Sequence, residues 1–213
     1  MNFRFPVTLE VTNRKCTIVG GGQVAARKAS KLLQAGARIH LVSPVLCPQL
    51  EQLSQEGRVD WVQRSFNVED LPGSLLVIAA TDDRAINAQI AQYCQEHNIL
   101  VNVVDSPEES SFITSASLSR GDLLIAVSTN GQNPAFGQKI RAQLEDEYGA
   151  VYGEALQVLN EARELLKIRC DDVGKRGQIM KILIDSDIFE LVVAGEIDQA
   201  RERVQKCIST YLG

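Results

Sequence analysis

No stretch of this 213-residue chain stays apolar for long: the longest run, Leu75 to Ala80, falls far short of the roughly 20 residues that cross a bilayer. The opening Met1-Asn-Phe-Arg-Phe-Pro6 carries no signal-peptide apolar core, so a cytoplasmic protein without a membrane partner is expected. Proline is scarce, at 6 residues, while 45% of the chain is hydrophobic and 23% charged; that composition excludes a disordered or fibrous protein. No positive excess exists either. The net charge is −5, about evenly divided on either side of residue 112, and duplex nucleic acid needs a concentrated basic face.

Several chemistries are missing by motif. The five cysteines (Cys16, Cys47, Cys94, Cys170 and Cys207) are odd in number and contain no C-x-x-C pair, which suggests neither a disulfide framework nor a zinc site. They read as small buried hydrophobes. The two histidines, His40 inside a candidate strand and His97 at the end of a candidate helix, are too far apart for a metal cluster and read as structural. There is no Tyr-x-x-x-Lys, no Gly-x-Ser-x-Gly and no Gly-x-x-x-x-Gly-Lys-[Ser/Thr]; a short-chain dehydrogenase, the common hydrolase elbow and the P-loop are all disfavoured.

What is present begins with a β-rich run, Cys16 to Val19, that ends in Gly20-Gly21-Gly22. Val24, Ala25, Ala29, Leu32 and Leu33 then recur at helical spacing up to Gly36, a candidate C′ residue, and Ala37 to Val42 reads as a second strand. This is one βαβ unit. Val59–62, Leu75–Ala80 and Leu100–Val104 are further candidate strands, with a helix over Arg84 to His97; such alternation implies a parallel sheet. After residue 112 the pattern changes. Phe112 to Ser119 and Asp122 to Ser128 read as a hairpin turning at Arg120-Gly121, Asn133-Pro134 as a helix cap, and the remainder as helices with Leu156, Leu159, Leu165, Ile168, Ile179, Leu183, Ile197, Val204 and Ile208 at apolar positions.

Gly20-x-Gly22-x-x-Ala25 fits the dinucleotide fingerprint, in which amides at a helix N-terminus and the helix dipole capture a pyrophosphate. Ser43-Pro44 stands where a ribose-binding carboxylate is usual, so this position does not separate NAD from NADP. Ala79-Ala-Thr81-Asp-Asp83 and Asp105 both follow strands at the carboxyl edge, where ligands bind in open α/β sheets. Thr81 is a candidate cofactor contact or a turn cap, with Asp82 or Asp83 as N-cap; Asp105 is a candidate general base or a turn former before Ser-Pro. Arg163, Lys167, Arg169, Lys175, Arg176 and Lys181 form a modest basic concentration, either a solvated helix face or a place for an acidic small molecule.

These residues together resemble the precorrin-2 dehydrogenase or sirohydrochlorin ferrochelatase family of siroheme biosynthesis. Cys16 to Lys28, Ala79 to Asp83, Val101 to Pro107, and Phe112-Ile-Thr with Ala126 to Pro134 are similar to four family signatures in the right order. The resemblance is to the stand-alone form and to the N-terminal part of the fused siroheme synthase, whose methyltransferase part would need a further long domain. It implies an α/β fold: a Rossmann-like domain over 1–112, a small β-hairpin and helical dimerisation region over 113–148, and a C-terminal helical domain over 149–213. It implies an oxidoreductase that dehydrogenates precorrin-2 to sirohydrochlorin with NAD as acceptor, working as a homodimer. Asp105 matches the aspartate of proton removal, Gly20, Gly22, Gln23 and Val24 the cofactor loop, and Ser43, Pro44 and Val45 the segment beside the adenosine ribose. No metal site is implied. The alternatives are an enzyme that also inserts Fe²⁺, a non-catalytic NAD-sensing module, and an S-adenosylmethionine methyltransferase.

Overall fold

The computed structural model describes residues 4–212, so Met1 to Phe3 of the segment inspected for a signal peptide lie outside it. The chain divides into two compact units, Met1–Thr114 and Ser115–Gly213.

In the first unit, β1 (Lys15–Val19), β2 (Arg38–Val42), β3 (Val59–Val62), β4 (Leu76–Ala79) and β5 (Leu100–Val103) form one sheet in the order β3-β2-β1-β4-β5. Every pairing is parallel. The connecting helices are α1 (Gln23–Gln34), α2 (Pro48–Gln55) and α3 (Arg84–Glu96). Helices cover both faces, so the strands read as nearly continuous apolar runs. Cys16, Ile18, Leu41 and Ile78 pack with Ala25, Ala26 and Ala29 of α1 and Leu50 and Leu53 of α2. Val19, Val77, Ala79, Val101 and Val103 pack with Ile90, Ala91 and Cys94 of α3. Each fully buried Ile or Leu here contributes about 1.5–3 kcal/mol.

The second unit holds an antiparallel hairpin, β6 (Ala116–Arg120) and β7 (Leu123–Val127), then α4 (Pro134–Glu147), α5 (Ala150–Arg169), α6 (Val173–Ile184), α7 (Ile188–Val193) and α8 (Ile197–Leu212). Asn133 caps α4 as the sequence predicts, its Oδ1 accepting from the Phe136 amide at 3.0 Å, with Pro134 opening the helix. Gly36 takes φ +79° just beyond α1, the left-handed C′ conformation that favours glycine.

Two expectations are corrected. Phe112 to Ser115 are not strand; the Ser111 and Phe112 amides donate back to Val101 O at 2.9 and 3.4 Å, which diverts the chain before the hairpin begins. Outside the expected elements the chain also forms the short helix Pro48–Gln55, with Leu50 and Leu53 buried. On α5 the buried positions are Ala155, Val158, Ala162 and Leu166; of the apolar positions expected there, Leu159 and Leu165 pack against that core, whereas Ile168 is 81% exposed.

Candidate functional site

The strand order reverses at β1, which lies between β2 and β4. In doubly wound sheets the crevice at that point, outside the carboxyl ends of the strands, receives ligands. The ladder continues beyond the strands: Gly20 N donates to Val42 O (2.9 Å), Ala80 N to Val19 O (2.8 Å) and Val104 N to Ala79 O (2.9 Å). The Gly20, Ser43, Thr81 and Asp105 segments therefore emerge from adjacent strands on one edge.

The three glycines serve different ends. Gly20 has φ +121°, and a Cβ there would stand 2.2 Å from Ala80 O. At Gly21 a Cβ would stand 1.9 Å from Val45 O, and Gly21 O accepts from the Cys47 amide at 2.7 Å. These two let three loops pack backbone to backbone. Gly22 is the opposite case: a Cβ would meet nothing within 4 Å. It is the N-cap of α1, in extended conformation (φ −86°), and no side chain caps the helix. The first-turn amides of α1 thus have no side-chain cap, and with the helix dipole behind them such an end could hold an anion. Ala25, the small residue of the fingerprint, is wholly buried against the sheet. Gln23 is exposed and Val24 half-buried.

Along the edge, Ser43 is buried and its hydroxyl donates to Val45 O at 2.7 Å, so its proton is already engaged. Pro44 and Val45 are exposed, Val45 to 72%. Trp61 fixes this turn from β3 by donating Nε1–H to Ser43 O at 2.9 Å. Thr81 donates its hydroxyl to Asn87 Oδ1 (2.8 Å) and accepts from the Asp83 amide (3.2 Å). Asp83, one of the two caps expected, accepts from the Ala85 and Ile86 amides of α3. Asn87 escaped the sequence reading. It is buried and also binds both backbone groups of Thr81, a role with no sequence signal because its partner is set by the turn.

Asp105 is exposed and takes φ +60°, a conformation Asp tolerates better than most residues. Among the described residues no side chain is hydrogen-bonded to its carboxylate. The segment after it is pinned: Ser110 Oγ accepts from Val103 N (2.9 Å), Val101 N donates to Ser111 Oγ (2.8 Å), and Arg4 donates to Pro107 O (2.8 Å). On α1, Lys28 is half-buried and donates to Asn102 Oδ1 (3.2 Å) and to Thr114 Oγ1. Burial first, then the charges of Lys31 and Arg27, push its pKa down to about 8, against the opposing pull of Asp105.

Elsewhere, His40 on β2 contacts Asp60 (2.9 Å) and Asp70 (3.8 Å), and Asp70 holds Arg64 through both oxygens at 2.6 and 2.9 Å. His97 stacks on Tyr93 with centroids 3.9 Å apart. In the second unit, Lys167 pairs with Glu164 and Arg176 donates to Cys170 O. All five cysteines are free thiols. Among the described residues no three His, Cys, Asp or Glu side chains gather as a metal site, and no helix is long and apolar enough to cross a membrane.

Comparisons with known proteins agree with this geometry. A profile of the family described as "Putative NAD(P)-binding" matches residues 7–116, and one described as "Sirohaem biosynthesis protein central" matches residues 120–147. The chain is 38% identical to a siroheme synthase of Thioalkalivibrio sulfidiphilus over 208 residues, covering 98% of this chain and 42% of that protein. A siroheme synthase 1 of Serratia proteamaculans is 35% identical over 206 residues, covering 97% and 43%. The chain thus spans less than half the length of these curated relatives. Among solved structures, "SirC, precorrin-2 dehydrogenase" superposes with a TM-score of 0.78 at 25% identity, covering 95% of this chain and all of that one.

Proposed function

The chain belongs to the NAD(P)-binding family of siroheme biosynthesis that includes precorrin-2 dehydrogenase, and from that premise we propose that it oxidises precorrin-2 to sirohydrochlorin with NAD. The observation that supports this best is the pairing of an open, uncapped helix N-terminus at Gly22 with an exposed carboxylate, Asp105, on the same sheet edge. One takes the anion of a dinucleotide; the other takes a proton.

NAD, when bound, supplies the acceptor for a hydride. Gly20, Gly22, Gln23 and Val24 would hold its pyrophosphate on the α1 amides, and the Ser43, Pro44 and Val45 turn would border its adenosine ribose. Thr81, rigid in its bonds to Asn87, would line the floor between them. Asp105 accepts the proton from the carbon skeleton of the substrate as the hydride leaves. The step balances: the substrate gives up a hydride, with its two electrons, to the dinucleotide and a separate proton to Asp105, and one new double bond forms. An exposed carboxylate held by a pinned segment is placed for such general-base work.

The working form in this reading is a homodimer joined through residues 113–148. Leu124 on β7 and Phe136 on α4 lie in that region and are 51% and 54% exposed, an apolar surface suited to a second copy. Five free thiols with no disulfide accord with a reducing cytoplasm. The test is equilibrium binding of NAD and NADP, followed by anaerobic turnover of precorrin-2 with NAD, with NADP and with neither. Sirohydrochlorin formed only with dinucleotide is the expected result; tight NAD binding without product would favour a sensing module and overturn the reading.

A further inference from the structure

Lys28 presents an energetic puzzle. A half-buried ammonium costs stability unless a partner compensates it, yet its two hydrogen bonds go to neutral groups, Asn102 Oδ1 and Thr114 Oγ1. Arg27 and Lys31 repel its charge, and Asp105 is the group of opposite sign that acts on it. Nor is the cation needed to close the chain locally. Asn102 and Thr114 flank the segment that carries Asp105, and neutral bonds already join its ends: Asn102 Nδ2 donates to Phe112 O (3.2 Å), and the Ser111 and Phe112 amides donate to Val101 O. An apolar side chain at position 28 would satisfy packing at lower cost. What a lysine adds is a charge and a third clasp at the base of the segment.

We propose that Lys28 is a positioning residue for Asp105: its ammonium bridges Asn102 and Thr114, fixes the segment between them, and sets a positive charge beside the carboxylate. The claim rests on the dehydrogenase reading for its catalytic consequence but not for its structural one. Charge-assisted bonds are stronger than neutral ones, so the clasp weakens when Lys28 loses its proton, and activity falls on the alkaline side near its depressed pKa.

The experiment uses the intact protein with Lys28→Arg and Lys28→Met. In the wild type, kcat with precorrin-2 and NAD is expected to decline above about pH 8. Lys28→Arg, which keeps its charge throughout that range, should lose this decline. Lys28→Met should lower kcat roughly 10- to 100-fold, the scale of a small misplacement of a catalytic group, with NAD Kd unchanged and a melting temperature no lower than the wild type. A decline that persists in Lys28→Arg, or an NAD Kd that rises with the loss of kcat, overturns the proposal. Amide exchange at Ser111 and Phe112, measured without substrate, separates the two claims. Faster exchange in Lys28→Met supports the clasp even if the wild type turns nothing over, in which case the dehydrogenase reading alone has failed; unchanged exchange refutes the clasp whatever the turnover.

Discussion

Gly20 and Gly22 stand two residues apart in one fingerprint, and alanine at each should fail in a different way. At Gly20 an alanine must adopt φ +121° and place its Cβ 2.2 Å from Ala80 O, a backbone atom that the sheet holds. The conformation alone costs on the order of 1–3 kcal/mol, and the overlap forces β1 and β4 apart, so a loss of at least about 3 kcal/mol is expected. For a chain of this length that lowers Tm by roughly 6–12 °C. At Gly22 the backbone is ordinary and the Cβ meets nothing. The weaker N-cap costs a few tenths to about 1 kcal/mol, and the lower entropy of the unfolded chain returns about 0.4–1. Gly22→Ala should therefore melt within a few degrees of the wild type. Its methyl group would occupy the space in front of the α1 amides, and loss of one hydrogen bond to a charged phosphate, about 1.5–3 kcal/mol, raises the NAD Kd roughly 10- to 150-fold. Calorimetric NAD titration beside thermal melts reads both quantities. If Gly22→Ala bound NAD as the wild type does, the open cradle would not be the pyrophosphate site.

Other outcomes follow from the same geometry. The folded Lys28 binds its proton less tightly than the unfolded chain, whose value is about 10.4; the unfolded state thus holds more protons between about pH 8 and there, so stability rises with pH across that window. Urea unfolding at stepped pH should show this rise in the wild type and a flatter profile in Lys28→Met. Arg64 follows β3 beside the Ser43 turn, and Asp70 engages its guanidinium twice, which leaves it unavailable to a 2′-phosphate. NADP should bind more weakly than NAD, and Asp70→Asn should narrow the ratio of the two Kd values; a ratio that does not move would remove Arg64 from cofactor selection. Leu124→Glu with Phe136→Glu should convert a dimer to a monomer by light scattering, and a dimer that survives both would place the interface elsewhere.

Periodicity exposed the first unit well because most of its strands are largely buried: β1, β2, β4 and β5 differ from the expectation by a residue or two at their ends, and the edge strand Val59–Val62, with Asp60 exposed, is found as read. The switch point and the four segments on its edge follow from that order. Less was legible where side chains choose partners through space. Asn87 locking Thr81, Lys28 reaching Asn102 and Thr114, and the inward turn of the Ser43 hydroxyl depend on contacts between residues far apart in the chain or on turn geometry. Gly21 is the instructive case. The fingerprint treats it as a free position, yet it admits no side chain, because the Val45 carbonyl crosses above it. On α5, hydrophobicity alone does not tell Leu166, which is wholly buried, from Ile168, which faces solvent two residues on.

The most direct test of the account is anaerobic product formation from precorrin-2 by the wild type and by Asp105→Asn, with NAD Kd measured on both. Asparagine keeps the size of the side chain and tolerates φ +60°, so only the proton acceptor is removed. The account predicts sirohydrochlorin and NADH in equal amounts from the wild type, and a loss of kcat of roughly 10²- to 10⁴-fold in the variant at unchanged NAD affinity. Turnover undiminished in Asp105→Asn would contradict it.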